Sequence, residues 1–490
     1  MGIELTNGRR QFLRNALQAA GALAAVPAMQ SLRLLDANGR AQAAPGRGGY
    51  GPLVAAPDLR DGVHRMSLPE GFEYRSFSPA GALMSDFNRV PLAHDGMGVF
   101  NTSDGRFRLV RNHEDRNGPG LGTTAIDHNA YDARGGGGTT TLVVNPFTRQ
   151  LERDFVSLSG TIVNCAGGVT PWESWITCEE TNAGPNSGWL KQHGYCFDVP
   201  AGANGTVPAV ALPDMGRFSH EAMAVDPSTW IVYETEDNSG SFQGSSGTSG
   251  FYRFIANQPG HLAAGGRLQM LAIVDRPNYD ARRDQQTGVG LPVTWVDIDN
   301  PNPAGTTSTA VFAQGWTKGG ARFRRLEGCW WGNGAVYFAD TSGGNAARGT
   351  IWEYRPDNHG GTLTLIFESS GAHELDFPDN LAVSPQGSLL LCEDGDGDQY
   401  LRGVTLRGEI FDFGQNIQND YEWAGATFAE ADPAWNDRKI RGNHKPLGNR
   451  WDRVTLFVNR QGATGGANPP PAGEEGLTFA IWGPWGDGAL

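Results

Sequence analysis

"NCAGGVTPWESWITCEE", residues 164–180, runs from a polar head residue through a small apolar stretch, a turn and an apolar strand into paired acids. The same order recurs in "HEAMAVDPSTWIVYETED" (220–237), "EGCWWGNGAVYFAD" (327–340) and "PDNLAVSPQGSLLLCED" (378–394). Cys165 precedes Glu179 by 14 positions, Glu221 precedes Glu236 by 15, Glu327 precedes Asp340 by 13 and Asp379 precedes Glu393 by 14. Two strands and a tight turn fit that interval, and "TPWES", "DPSTW", "GNG" and "SPQGS" carry the Pro, Asp, Asn and Gly that reverse a strand. Repeated four-stranded units that cannot bury their faces alone are the sequence sign of a β-propeller. Four clear units, with weaker ones near "FRLVRNHE" (107–114) and at the C-terminus, predict an all-β propeller of about six blades with irregular loop insertions. A β-sandwich is the competing all-β fold, but it would not place similar head residues at similar offsets in every unit.

Composition agrees with this reading. Glycine makes up 69 of 490 residues, about twice the usual frequency of roughly 7%, as expected for many short strands joined by glycine turns. Hydrophobic residues at 39%, with 14 Trp and 23 Phe, can bury a large core, which argues against low-complexity disorder. The N-terminus, "NGRRQFLRNALQAAGALAAVPAMQ", places Arg9 and Arg10 before a weakly apolar run, and "AQA" at 41–43 offers small residues for cleavage. Residues 1–44 are therefore expected to be a twin-arginine signal peptide that engages that export machinery, and 45–490 one domain. No later window approaches about 18 consecutive apolar residues, so no stable membrane anchor is expected. Residues 1–44 carry five arginines against Glu4 and Asp36, so their removal takes the formal net charge from −14 to −17. Such a surface repels nucleic acid and anionic lipid, and an anionic substrate would need local cations at its site.

The five cysteines are Cys165, Cys178, Cys196, Cys329 and Cys392. Their odd number leaves at least one thiol outside any intramolecular disulfide. Cys178 and Cys392 read as small buried hydrophobes in apolar strands, whereas Cys165 precedes "AGG", where backbone can closely approach a bound group.

In a propeller the first strand of each blade lines the central channel, so its head residues converge at one mouth. Asn112, His113, Glu114, Cys165, His220, Glu221, Arg325, Glu327 and Asp379 are the expected heads. Converging carboxylates repel one another and are stable only around cations. Carboxylates with Asn or backbone carbonyls suit calcium; a thiolate suits a softer or redox metal such as iron or zinc. One cluster offering both predicts more than one kind of metal. Glu236 and Asp340 read instead as solvated strand ends. Asp394, Asp396 and Asp398 alternate as in an EF-hand, but Gln399 and Thr405 stand where Gly and Glu are required, leaving a local calcium loop or a plain turn. Arg325 lies two residues before Glu327 on an extended segment, which puts both on one face. From there its guanidinium can clamp two phosphoryl oxygens, though a structural salt bridge fits the spacing equally.

These residues resemble the PhoX-type alkaline phosphatases, a family exported by the twin-arginine route and built as a six-bladed propeller. The resemblance runs through "RNHE", "NCAGGVTPWESWITCEE", "GRFSHEAMAVDP", "YETED", "SGFYRF", "RLEG", "FPDNLAVSPQGSLLLCEDG", "EWAGATF", "LFVNRQ" and "TFAIWGPW". It implies a mixed iron and calcium cofactor in the channel. On matching positions, Cys165 is the implied iron thiolate, Glu180, Glu221 and Glu327 are metal carboxylates, and Arg325 is a phosphate clamp. His113, Glu114, Asp379 and Glu393 also match family motifs, which leave metal or substrate contact open for each; His113, with Arg325 and Glu327, is the expected catalytic set, and Glu114, Asp379 and Glu393 are further expected metal residues. The chain departs from the family's usual "FSPDG" with "FAEAD" (428–432), and "GATGGANPPPAGEEG" (462–476) intrudes before "TFAIWGPW".

The function so implied is a metal-dependent phosphomonoesterase acting on small phosphate esters outside the cytoplasm. Two rivals stand beside it: a calcium-dependent propeller lactonase, whose site needs no cysteine, and a non-catalytic binding protein in which calcium only staples the blades.

Overall fold

The structure is a computed structural model that describes residues 48–436, 443–444 and 447–490. The expected export signal lies outside the described residues. Among those residues the chain is nearly all β, with one α-helix, Ala310–Thr317, and no helix long and apolar enough to cross a membrane.

Six strands form the inside of the molecule: His94–Asn101, Asn164–Val169, His220–Val225, Leu326–Gly332, Pro378–Val383 and Trp423–Glu430. Each packs against the next, and the last packs against the first, so the six close a ring. Each is the innermost strand of an antiparallel run that steps outward strand by strand. The runs that begin at His220 and Leu326 merge into one nine-stranded sheet, because Gly290–Asp297 pairs with both Gly266–Ile273 and Thr362–Glu368. The arrangement is propeller-like, as the repeated head-turn-strand theme predicts.

The first and last described strands fasten this ring. Glu73–Phe77 pairs with Leu477–Trp482 as the outer strand of the sheet that begins at Trp423, while Leu53–Pro57 and His64–Pro69 extend the sheet that begins at Pro378. The Tyr50 hydroxyl donates to the carbonyl of Leu490 at 3.0 Å. Aromatic side chains join the two halves of the nine-stranded sheet: Phe251 stacks on Phe338 at 4.4 Å, and Trp295 meets Tyr354 edge-on at 5.5 Å. Such contacts contribute roughly 0.5–1.5 kcal/mol each beyond the apolar area they bury.

One irregularity repeats in all six inner strands. Pairing with the second strand slips after His94, Asn164, His220, Leu326, Pro378 and Ala424, and two residues bulge before the ladder resumes. The bulged pairs begin with Asp95, Cys165, Glu221, Glu327, Asp379 and Gly425. A bulge re-aims side chains and bends its strand, so the sequence theme marks a backbone device. The bulges also bring inner strands very close together. A Cβ added at Gly328 would lie 2.4 Å from the carbonyl oxygen of Asp379, and one at Gly425 would lie 2.4 Å from that of Asp95. Only glycine fits where backbones approach so closely.

Candidate metal and active site

Five of the six bulges deliver a side chain to one polar cavity of about 250 Å³: Asp95, Cys165, Glu221, Glu327 and Asp379 all line it. A second tier comes from the residue that follows each second strand. Those strands end at His113, Glu179, Glu236, Asp340, Glu393 and Arg460; the next residues Glu114, Glu180, Asp237, Asp394 and Gln461 line the same cavity, Thr341 being the exception. Glu422, just before the sixth inner strand, completes the set with Asp420, and among the described residues the cations lining the cavity are Arg116 and Arg325.

The two tiers explain where sequence reasoning slipped. His113 and Glu393, read as site residues, sit one position too early and face the other way, since successive strand residues point to opposite faces. His113 is fully buried between the Leu92 carbonyl at 2.8 Å and the Thr140 hydroxyl at 2.9 Å, and burial pushes its imidazole well below the usual histidine range. Glu393 accepts from the backbone of Asp376 and Tyr400 and from Arg402 Nε at 2.9 Å. Glu236 and Asp340 are not solvated ends either, because both are fully buried. Glu236 accepts from the Gly250 amide at 3.0 Å and the Tyr252 hydroxyl at 2.7 Å, and Asp340 accepts from the Arg324 amide at 3.2 Å. The first acid of each pair thus pins the adjoining loop, and the second faces the cavity. Asn112 is likewise structural: its amide donates to the carbonyls of Cys165 and Ala166 at 3.0 and 2.7 Å, which fixes the Cys165 bulge.

Glu179 shows what the first tier does. It accepts from the amides of Ile162, Gly194 and Tyr195, and from His193 Nδ1 at 2.6 Å, while His193 Nε2 faces Asp132 at 3.3 Å. Burial opposes the imidazolium, yet Glu179 and Asp132 outweigh it and hold His193 above the ordinary value. A raised folded-state value means that this contribution to stability is full below the unfolded value of about 6.5 and is lost as pH rises through the folded one. The Tm deficit of His193→Gln should therefore be largest at acidic pH and shrink as pH rises. A deficit that stays constant between pH 5 and 9 would show that His193 is not charged in the fold.

The cavity acids fall into groups close enough to share an ion. Cys165, Glu180 and Glu221 form one such group, Glu221, Glu327 and Asp379 a second, and Asp379, Asp394 and Glu422 a third; in each group the ligand atoms lie within 4.8 Å of one another. Two carboxylates at that spacing repel by about 3 kcal/mol at an effective dielectric of about 20. Burial first, and then the charges of Asp379 and Glu180, push Glu221 well above the carboxylate range; burial with Glu221 and Glu180 does the same to the Cys165 thiol. Asp394 is pushed up to about 6, chiefly by burial. Without cations this arrangement would have to hold several protons at neutral pH. Asp95 Oδ1 is buried with no hydrogen-bond partner among the described residues, and Cys165 Sγ lies 3.1 Å from Glu221 Oε2. Thiolate, clustered carboxylates and an orphaned oxygen are the donor set that multivalent cations fit.

Arg325 is held by its own pocket wall. Its Nε donates to both oxygens of Asp237 at 3.2 Å, its Nη2 donates to Asp237 at 3.1 Å, and Nη2 also pairs with Glu327. The charge of Glu327, followed by Asp237 and against the opposing effect of burial, keeps the guanidinium firmly protonated. Its backbone sits at φ 58°, a left-handed conformation uncommon for a non-glycine residue, and is held there by the Ser249 hydroxyl on its amide and by Thr341 N–H on its carbonyl. Such a conformation costs on the order of 1–3 kcal/mol and persists where the surroundings over-determine it. Arg116 is half exposed and pairs with Glu114 and, at 2.8 Å, with Glu180.

The sequence profile of the family described as alkaline phosphatase PhoX matches residues 48–459. This chain belongs to the alkaline phosphatase PhoX family. As a member it is a phosphoric monoester hydrolase. Among solved structures, it is similar to Pseudomonas fluorescens PhoX in complex with vanadate, a transition state analogue, at 16% identity and a TM-score of 0.61, with 90% of this chain and 99% of that one covered. A protein of unknown function from Dyadobacter fermentans aligns at 8% identity and a TM-score of 0.43, over 84% of this chain and 99% of that one. A protein provisionally described as a gluconolactonase aligns at 11% identity and a TM-score of 0.37, over 88% and 98%. These last two likenesses are too loose to bear on fold or function. A comparison with curated proteins gave no match.

Proposed function

We propose that this phosphatase hydrolyses small phosphate esters at a mixed iron and calcium centre in the axial cavity of a six-bladed propeller. The observation that carries the reading is the gathering of Cys165 with Glu180, Glu221, Glu327 and Asp379 beside the Arg325 guanidinium. The Cys165 sulfur is the softer ligand and suits iron, shared with Glu180 and Glu221; the all-oxygen groups that meet at Asp379 suit calcium. When bound, the ions supply Lewis-acid stabilisation of charge on the phosphoryl oxygens.

The chain's own residues do the rest. Asp237 orients Arg325 through two fork contacts, so the guanidinium meets a phosphoryl group already aligned. Arg116, tied to Glu114 and Glu180, supplies a second positive edge at the opening, which an anion needs beside ten carboxylates. Tyr421 and Thr464 line the same cavity. The cavity is too small for a folded macromolecule, which supports small esters as substrates. The six-blade reading rests on the closed ring of six bulged strands, with 45–490 as a single domain. The twin arginines, Arg9 and Arg10, support export and a periplasmic or secreted location.

Purified protein is expected to turn over p-nitrophenyl phosphate and to contain iron and calcium by elemental analysis. Absence of turnover at full metal content would overturn the proposal. Cys165→Ser should lose iron and most of the rate together. An unchanged rate in that variant would point instead to hydrolysis at calcium alone, and calcium without hydrolysis of any ester would point to a binding protein.

A further inference from the structure

A second ligand-rich cluster lies outside the cavity. His220 precedes the bulged Glu221 and is fully buried, with Phe218 lying over its ring at 3.7 Å. Its Nε2–H donates to the Gly216 carbonyl at 3.1 Å, so Nδ1 carries the lone pair. That lone pair faces Glu234 Oε2 at 3.4 Å without forming a hydrogen bond, and both oxygens of Glu234, also fully buried, have no hydrogen-bond partner among the described residues. Cys196 brings its sulfur to within 4.8 Å of the His220 and Glu234 ligand atoms. Cys178, free and buried, stands directly opposite Cys196 in the antiparallel ladder.

Two acceptors facing each other in a dry interior repel unless something positive lies between them. A proton on Glu234 would satisfy Nδ1 but would leave the second carboxylate oxygen without a partner. A divalent ion satisfies the nitrogen, the oxygens and the sulfur together. An imidazole that coordinates through one nitrogen and gives its other N–H to a backbone carbonyl is the usual arrangement around a protein-bound metal. Sulfur, imidazole nitrogen and carboxylate oxygen in one buried group match zinc more closely than calcium or magnesium.

We propose that Cys196, His220 and Glu234 bind one zinc ion, with Cys178 as the available fourth donor. None of the four lines the axial cavity. The ion would join two neighbouring sheets, the Ser174–Glu179 and Cys196–Pro200 pair on one side and the His220–Val225 and Val232–Glu236 pair on the other. Its role is structural and independent of the phosphatase reading.

The test begins with full-length protein made in zinc-containing medium and purified without added metal. About one zinc per chain is expected in wild type and in Cys165→Ser alike, with a sulfur neighbour at about 2.3 Å in zinc-edge absorption spectra. Glu234→Gln and Cys196→Ser should each lose that zinc. Because those variants can fail to fold, crystals of the wild-type protein provide a second measurement: an anomalous peak at the zinc edge among Cys196 Sγ, His220 Nδ1 and Glu234. No peak there, or undiminished zinc in both folded variants, overturns the proposal, and loss of all zinc in Cys165→Ser would assign the ion to the axial cavity instead.

Discussion

Glu221→Gln is expected to lower kcat/KM for p-nitrophenyl phosphate by roughly a thousandfold or more, and to strip more than one ion from the protein. Glu221 is the only side chain shared by the Cys165/Glu180 group and the Glu327/Asp379 group. Neutralising it therefore weakens two neighbouring sites at once. Loss of a residue that merely orients a ligand typically costs 10–100-fold in metal affinity or activity, and loss of one charge-stabilising donor about 10²–10³ in kcat; a ligand common to two ions should reach at least the upper figure. Elemental analysis beside steady-state kinetics checks it. Glu236→Gln is the matched control: it changes a buried glutamate on the next strand that touches Tyr252 and Gly250 instead of the cavity. Its metal content should match wild type. A Glu221→Gln protein that keeps both ions and a near-normal rate would remove Glu221 from the metal centre.

Arg325→Ala should behave differently, losing about 10²–10³ in kcat while keeping its metals. The guanidinium is attracted to Asp237 and Glu327, so its removal leaves more negative charge in the cavity, which retains cations more firmly. Loss of rate without loss of metal separates a group that grips the phosphoryl oxygens from one that builds the ion sites. Arg325→Lys keeps the charge but not the planar fork, and should recover only part of the rate. Equal activity in Lys and Arg enzymes would show that charge alone suffices there, and an Ala variant that sheds its ions would recast Arg325 as a structural residue.

The all-β, propeller-like arrangement and several convergent residues were legible because one backbone device recurs clearly in four stretches of the sequence. Cys165, Glu221, Glu327 and Asp379 were readable as convergent heads, since each opens a bulge and is followed 13 to 15 positions later by an acid. Asp95 has the same place in "HDGMGV", but its second strand ends in His113 where those of Cys165, Glu221, Glu327 and Asp379 end in an acid, so the pattern was not apparent. Glu422 was hidden because Gly425 occupies the sixth bulge and the acid falls before it. The acid pairs misled by one position. Of Glu393 and Asp394 the structure sends the second to the cavity, and of His113 and Glu114 likewise the second. A one-residue shift along a strand exchanges faces, and alternation of apolar residues does not reveal which member of a polar pair turns inward. The Cys196, His220 and Glu234 group was invisible for another reason: its members come from three strands whose adjacency only the fold supplies.

The strand Glu73–Phe77 meets Asp58 early, but its full ladder partner, Leu477–Trp482, comes some 400 residues later. At synthesis rates of about 5–20 residues per second, that early segment waits roughly twenty to eighty seconds with an unpaired edge. Until Leu477–Trp482 has been made, the sheet that begins at Trp423 lacks both of its outer strands. A partial product that stops before Trp423 leaves His94–Asn101 and Pro378–Val383 without the strand between them, a seam that invites pairing with another copy. The cell's opportunity to misassemble this protein is set less by its chemistry than by how far apart its two ends are in time.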